Sequence, residues 1–150
     1  MTPAPAYVEE NARELERLRA IVERLDEDQL RRHATERWTV ADVLGHVAFW
    51  DGRAFVLGEK LSRGVPFTLS DDEPEDVDWI NDAAWPLIHA VPPRDVAELA
   101  LRVAEKTDRL MATLPVERVY PGDPDSPVNA VRANHRGEHL DQIETALRTA

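Results

Sequence analysis

WTVADVLGHVAFWDGRAFVLGEKL, residues 38–61, carries a full set of helix-start signals. Thr39 followed three residues later by Asp42 is the pattern of a capping box, in which the hydroxyl accepts from a first-turn backbone N–H and the carboxylate reaches back to the cap. Trp38, just before the cap, can staple onto Val43. Beyond the cap, Val43, Trp50 and Leu57 recur with helical spacing, so the segment predicts a long helix with one apolar stripe. His46 lies at the edge of that stripe and Asp51 in its middle. Polar groups in such places require partners.

The neighbouring segments predict more helices. Val8, Ala12, Leu15, Leu18, Val22 and Leu25 mark a first helix over about residues 5–25, with charged residues filling its other face. RGVPFTLSDDEPE, residues 63–75, reads as a loop. DVDWINDAAWPLIHAV, residues 76–91, reads as a short helix that Pro86 breaks or bends. A third long helix is expected over about 95–114, with Val96, Leu99, Val103, Leu110 and Leu114 on its seam. After the proline-rich 115–127, Ser126 and Pro127 supply an N-cap and first-turn pair to open the last helix. No stretch alternates long enough to make a strand. The expectation is an all-α fold, a four-helix bundle with a short insertion helix between the second and third long helices, forming one domain over 1–150.

Composition narrows the function. A net charge of −11 over 150 residues argues against nucleic-acid binding, which draws on Lys and Arg neutralising phosphates, and against anionic membranes. With no cysteine, the chain can make neither a disulfide nor a thiolate metal site, and any thiol chemistry needs a thiol from outside. The N-terminus lacks a basic and apolar leader pattern and no run approaches a membrane span, so a cytoplasmic protein acting on a small-molecule substrate is expected.

NHRGEHLDQIE, residues 134–144, places His135, His139 and Gln142 where a helix would bury leucines. On a wheel centred on Val128, Val131, His135, His139, Ile143 and Ala146 all fall within about 60°. Two histidines four apart sit one turn from each other on one face, the spacing with which a helix offers two imidazoles to one metal ion. His46 is the best third ligand. Asp42, one turn before it, is either an acceptor that fixes the His46 tautomer or simply the capping-box acid. Asp51 is the acid misplaced for a pure core, suited to a supporting hydrogen bond, a wet cavity or the role of a base; Glu138 is the second candidate base. Removing protons from three imidazoles of reference pKa about 6.5 predicts metal affinity that falls below about pH 6. His33 and His89 read as surface residues, the four tryptophans as core and cavity wall, and the acidic run 70–76 as a solvated loop without the ligand spacing of a calcium loop.

The W-T-V-A-D-V-L-G-H opening at 38–46, taken with H-R-G-E-H-L-D-Q-I at 135–143, resembles the DinB/YfiT-like superfamily, which includes mycothiol-dependent maleylpyruvate isomerases and bacillithiol transferases. The resemblance covers nearly the whole chain. It implies a divalent metal, zinc or nickel, held by His46, His135 and His139, and a low-molecular-weight thiol as cosubstrate. It also implies a binding role at Asn81, where the isomerase-like members carry an asparagine, and beside it Gln142 reads as a cofactor-binding residue. Relatives commonly pair, which implies a homodimer. Three chemistries stay open: S-transfer from the thiol to a small electrophile, metal-assisted hydrolysis with Asp51 or Glu138 as base, and non-catalytic binding of a metal or ligand.

Overall fold

The computed structural model describes residues 3–66 and 74–149. The helices are α1 (Ala6–Arg24), α2 (Glu27–Arg31), α3 (Val40–Arg63), α4 (Pro74–Ala90), α5 (Pro93–Thr113) and α6 (Ala133–Arg148), with a 3₁₀ turn at Val116–Arg118. Among the described residues there is no strand, only isolated bridges such as Tyr120 with Asn129. The fold is all-α, as the periodicity predicts. Helices α1, α3, α5 and α6 close a ring in which α1 packs on α5 and α6, and α3 packs on the same two; the inserted α4, expected to be short, is one residue longer than α6. α4 lies on α3, outside the ring, as the inserted element.

The start of α3 forms as its sequence dictates. Thr39 Oγ1 accepts from the Asp42 N–H at 3.1 Å, and Asp42 Oδ2 accepts from the Thr39 N–H at 3.0 Å. Trp38 packs against the core cluster that contains Val43. The helix ends at Gly64, whose φ of 69° is the left-handed cap conformation that favours glycine. The loop expected over 63–75 falls partly at 67–73, outside the described residues, as does most of the acidic run.

Three local expectations are corrected. Pro86 neither ends nor splits α4, which runs through it as a 17-residue helix; the ring lies on the exposed side, where the lost hydrogen bond meets water. The seam of α5 is only in part the predicted one: Val96 and Leu114 are buried and Leu110 packs half-buried on the core, but Leu99 does not join them. Ala97, Ala100, Ala104, Thr107 and Met111 are its buried residues along with Val96, and Leu99 is 42% exposed. Small side chains there let α5 approach α3 closely. On the α3 side a Cβ at Gly58 would stand 2.9 Å from the ends of Leu110 and Met111. The last helix opens at Ala133 rather than at Ser126-Pro127. Ser126 instead closes a turn, its hydroxyl donating to the Arg118 carbonyl at 2.7 Å and accepting from the Val128 N–H at 3.1 Å.

The core therefore predicts a sharp contrast. Leu44→Ala, at a fully buried position in α3, should cost about 2–5 kcal/mol of unfolding free energy, whereas Leu99→Ala should change it by less than about 0.5 kcal/mol. Urea titrations of the two variants measure both. Comparable losses would restore the leucine seam.

Candidate metal centre

α6 begins without a cap of its own. The Arg132 side chain caps nothing, and a buried residue of α1 does the work: Asn11 Oδ1 accepts from the backbone N–H groups of Arg132 and Ala133, both at 2.9 Å, while its Nδ2 donates to the Ala130 carbonyl at 2.8 Å. This bond set fixes where α6 starts. Its rotation is fixed by Arg136, which has no exposed surface and sits with Ala133, Leu140 and Ile143 on the buried stripe. The buried stripe thus centres on Arg136. His135, His139 and Gln142 flank it, turned from the inward centre that the Val128-based wheel assigns them, because Val128 lies outside the helix.

Arg136 bridges two acids. It donates to Asp108 of α5 through both terminal nitrogens, at 2.9 and 3.0 Å, and to Asp51 of α3 at 3.2 and 3.4 Å. Arg132 donates to the other Asp51 oxygen at 2.9 Å. Two guanidiniums and two carboxylates balance in charge. Burial by itself would lower the Arg136 pKa; the bonds to Asp108 and the charge of Asp51 outweigh it and raise it. Burial also pushes the Asp108 carboxyl up, against the pull of Arg136. The sequence reading passed over Arg132, Arg136, Asp108 and Asn11. A signal was available: Arg132 and Arg136 are four apart, the second of them on the stripe with Leu140, facing a core that already holds an unexplained Asp51.

This network stands behind three histidines. His46, His135 and His139 each offer a ring nitrogen, all within 4.8 Å of one another. His46 Nε2 and His135 Nε2 are 3.1 Å apart, close to the roughly 3.3 Å between nitrogens on a tetrahedral ion with bonds of about 2.0–2.1 Å. His139 Nδ1 meets Gln142 Oε1 at 3.1 Å, which leaves Nε2 as the remaining ring nitrogen. The His135 Nδ1 atom is buried without a hydrogen-bond partner among the described residues. Burial first, and then the neighbouring His139, lower the His46 pKa to about 4; the same causes, with His46 and the two arginines, lower that of His135 to about 3. Neutral imidazoles with converging nitrogens are the donor set a divalent ion requires. The residues fit the ion.

The histidines stand at a cavity of about 450 Å³ that His46 and His139 line together with Trp38, Asn81, Asp82 and Gln142. Asn81 reaches it from α4, held by a 2.7 Å bond from Trp50 Nε1 to Asn81 Oδ1. Glu138 is exposed and lies outside this lining, and Asp51 is enclosed with both oxygens on arginines. Asp42 serves as the cap and not as a holder of His46: its carboxylate accepts from Trp85 Nε1 at 3.3 Å and lies 2.9 Å from His89 Nδ1. His89 is thus tied to α3, stacked on Trp85 with centroids 4.7 Å apart, while His33 stays exposed.

The sequence pattern of the DinB superfamily matches residues 10–143. The chain belongs to that superfamily. No curated protein and no solved structure matches it. The match takes in all three histidines and the whole buried network, and it agrees with the all-α architecture. No helix among the described residues is long and apolar enough to cross a membrane.

Two predictions follow from these surroundings. Asp51→Asn leaves two buried guanidiniums short of charge and should cost about 3–5 kcal/mol of stability, read by urea denaturation; a loss below about 1 kcal/mol would show that Asp108 alone suffices. The second concerns pH. With folded-state values depressed below the reference of about 6.5, His46 and His135 of metal-free protein stay neutral down to about pH 4 and 3, while the unfolded chain takes up their protons from about pH 6.5 downward. Stability of the metal-free protein should therefore decline as pH falls from 6.5 toward 4, by at most about 1.4 kcal/mol per pH unit for each such proton. His135→Gln should flatten that decline, and an unchanged slope would contradict it. The same shift moves proton competition for these two ligands below the pH 6 expected from free imidazole.

Proposed function

We propose that this DinB-superfamily protein is a divalent-metal-dependent S-transferase, joining a low-molecular-weight thiol to a small electrophile, with zinc or nickel at His46, His135 and His139. One observation carries the reading: three imidazoles, two of them held neutral, converge beside a cavity of small-molecule size in a chain that has no cysteine. A divalent ion bound there supplies the positive charge that deprotonates a coordinated thiol near neutral pH.

The chain's own residues prepare that chemistry. Neutral ligands leave the charge of the ion undiminished. Gln142 accepts from Nδ1 of His139 and so orients the ring, as an outer hydrogen-bond partner of a metal-binding histidine does. Trp38 and Val43 give the cavity an apolar wall against which an uncharged electrophile can lose its water.

Hydrolysis is the weaker reading. It needs a base for water, and both acids nominated for that task are badly placed, Asp51 within its arginines and Glu138 outside the cavity lining. A thiolate attacks without one. Among the described residues, Asp78 and Asp82 of α4 are the acids that do line the cavity, and Asp82 is 3.4 Å from Arg37.

The test has two parts. Metal analysis of the purified protein should give about one equivalent of divalent ion, lost in His139→Ala and kept in His33→Ala. Zinc- or nickel-loaded protein should then accelerate conjugation of a thiol to an electrophile over the uncatalysed rate. Ester or amide cleavage without thiol would make the protein a hydrolase, and metal binding with no turnover would make it a binding protein.

A further inference from the structure

Two carboxamides line the cavity, and each has its oxygen already committed. The Trp50 indole N–H can only donate, so the group 2.7 Å from it is the Asn81 oxygen and the Asn81 NH₂ is turned away from Trp50. Gln142 is fixed in the same sense. When His139 presents Nε2 to an ion, its Nδ1 carries the proton, and the atom 3.1 Å away must be the Gln142 oxygen. Both NH₂ groups are then left over. Neither has a partner among the described residues, and neither is among the buried unpartnered atoms, so both are open to a ligand.

Resting on the S-transfer reading for the reaction but not for the binding, we infer that Asn81 and Gln142 form a donor pair that selects electrophiles bearing a neutral carbonyl oxygen: amides, imides, esters or ketones. Among the described residues the cavity lining contains no Lys or Arg, and it does contain Asp78 and Asp82, so away from the metal site the lining offers a carboxylate no cationic side chain. Amide N–H groups suit an uncharged acceptor. Trp50 is the positioning residue of the pair, because without its indole N–H the Asn81 amide is free to turn its oxygen to the ligand. On the Gln142 side a metal held by His139 Nε2 would have the same effect, since Nδ1 would then carry the proton that Gln142 accepts. The carbonyl that the pair holds is also the group that makes an adjacent carbon electrophilic, so recognition and activation fall on one atom of the substrate.

Isosteric variants separate donors from structure. Asn81→Asp keeps the oxygen that accepts from Trp50, and Gln142→Glu keeps the one that accepts from His139, yet each removes the NH₂. With zinc-loaded protein, 2-mercaptoethanol as thiol, and each rate divided by its uncatalysed rate, iodoacetamide should be favoured over allyl bromide, which has no oxygen. Each variant should lower that preference about three- to tenfold, the worth of one neutral hydrogen bond, with metal content unchanged. Trp50→Phe should lower it as well. A preference that survives in both isosteric variants overturns the inference. A second arm does not use turnover: succinimide, which carries two carbonyls and does not react, should shift the side-chain NH₂ resonances of Asn81 and Gln142 in the wild-type zinc protein. If those resonances stay fixed while others in the cavity move, the donor pair is refuted. If they shift but no thiol is ever transferred, the S-transfer reading fails and the donor pair stands.

Discussion

Arg136 is the hinge on which the site depends. A guanidinium with no exposed surface survives in a core only if its five donors are met by acceptors and its charge by acids. Asp51 from α3 and Asp108 from α5 meet both needs, and the α1 backbone joins in through the Asn11 carbonyl at 3.3 Å. All four bundle helices therefore touch one side chain. A bundle of apolar helices can slide or rotate at little cost, since one leucine replaces another in a groove. A bidentate guanidinium cannot be moved by a turn without leaving charges unpaired. His135 and His139 sit on the same helix as Arg136, one residue before it and three after, so whatever fixes its orientation fixes theirs, and Asp51 ties that helix to α3, which bears His46.

That arrangement also explains what the sequence revealed and what it hid. The capping box, the first helix and the His135–His139 pair rest on local rules, hydrogen bonds between residues three apart and rings spaced by one turn, and these are visible in a string of letters; His46, on another helix, is tied to the pair in the sequence only by its place at the edge of the α3 stripe and by the family resemblance. The arginines are hidden in the sequence because arginine is mostly a surface residue, so an apolar wheel does not centre the last helix on Arg136. Asp51 looked misplaced for the same reason. Its partners, Arg132 and Arg136, lie more than 80 residues away, so no local pattern ties the acid to them. The seam of α5 was misread by a second general rule, that larger apolar residues mark the buried face. Where two helices pack closely, alanine marks it instead.

Burial of the histidines has a cost and a use. A neutral imidazole in an apolar setting is destabilised less than a charged one, so the fold removes the protons before any ion arrives. A divalent ion would then meet two imidazoles already deprotonated at neutral pH, with little reorganisation required. Three nitrogens held by rigid helices form a site more exact than loops could provide, and the ionic network behind α6 is what keeps those helices from relaxing apart.

The insertion helix adds a division of labour. The three histidines that could hold a metal all come from α3 and α6, helices of the ring, whereas Asp78, Asn81 and Asp82 reach the cavity from α4, which is attached to α3 by its own bonds: Asp42 with Trp85 and His89, Trp50 with Asn81, and the close seating of Ile88 at Gly45. No residue of the buried network belongs to α4. Substitutions on the cavity face of α4 can therefore change the polarity that a substrate meets without disturbing the ions that orient α6, so that the geometry of the metal site and the choice of substrate are separable in this fold. Asp42 is the point where the two are joined, since one carboxylate caps the helix bearing His46 and anchors the helix bearing Asn81. Replacing it would loosen both walls of the cavity together, whereas replacing Asn81 would alter one hydrogen bond and leave both walls in place.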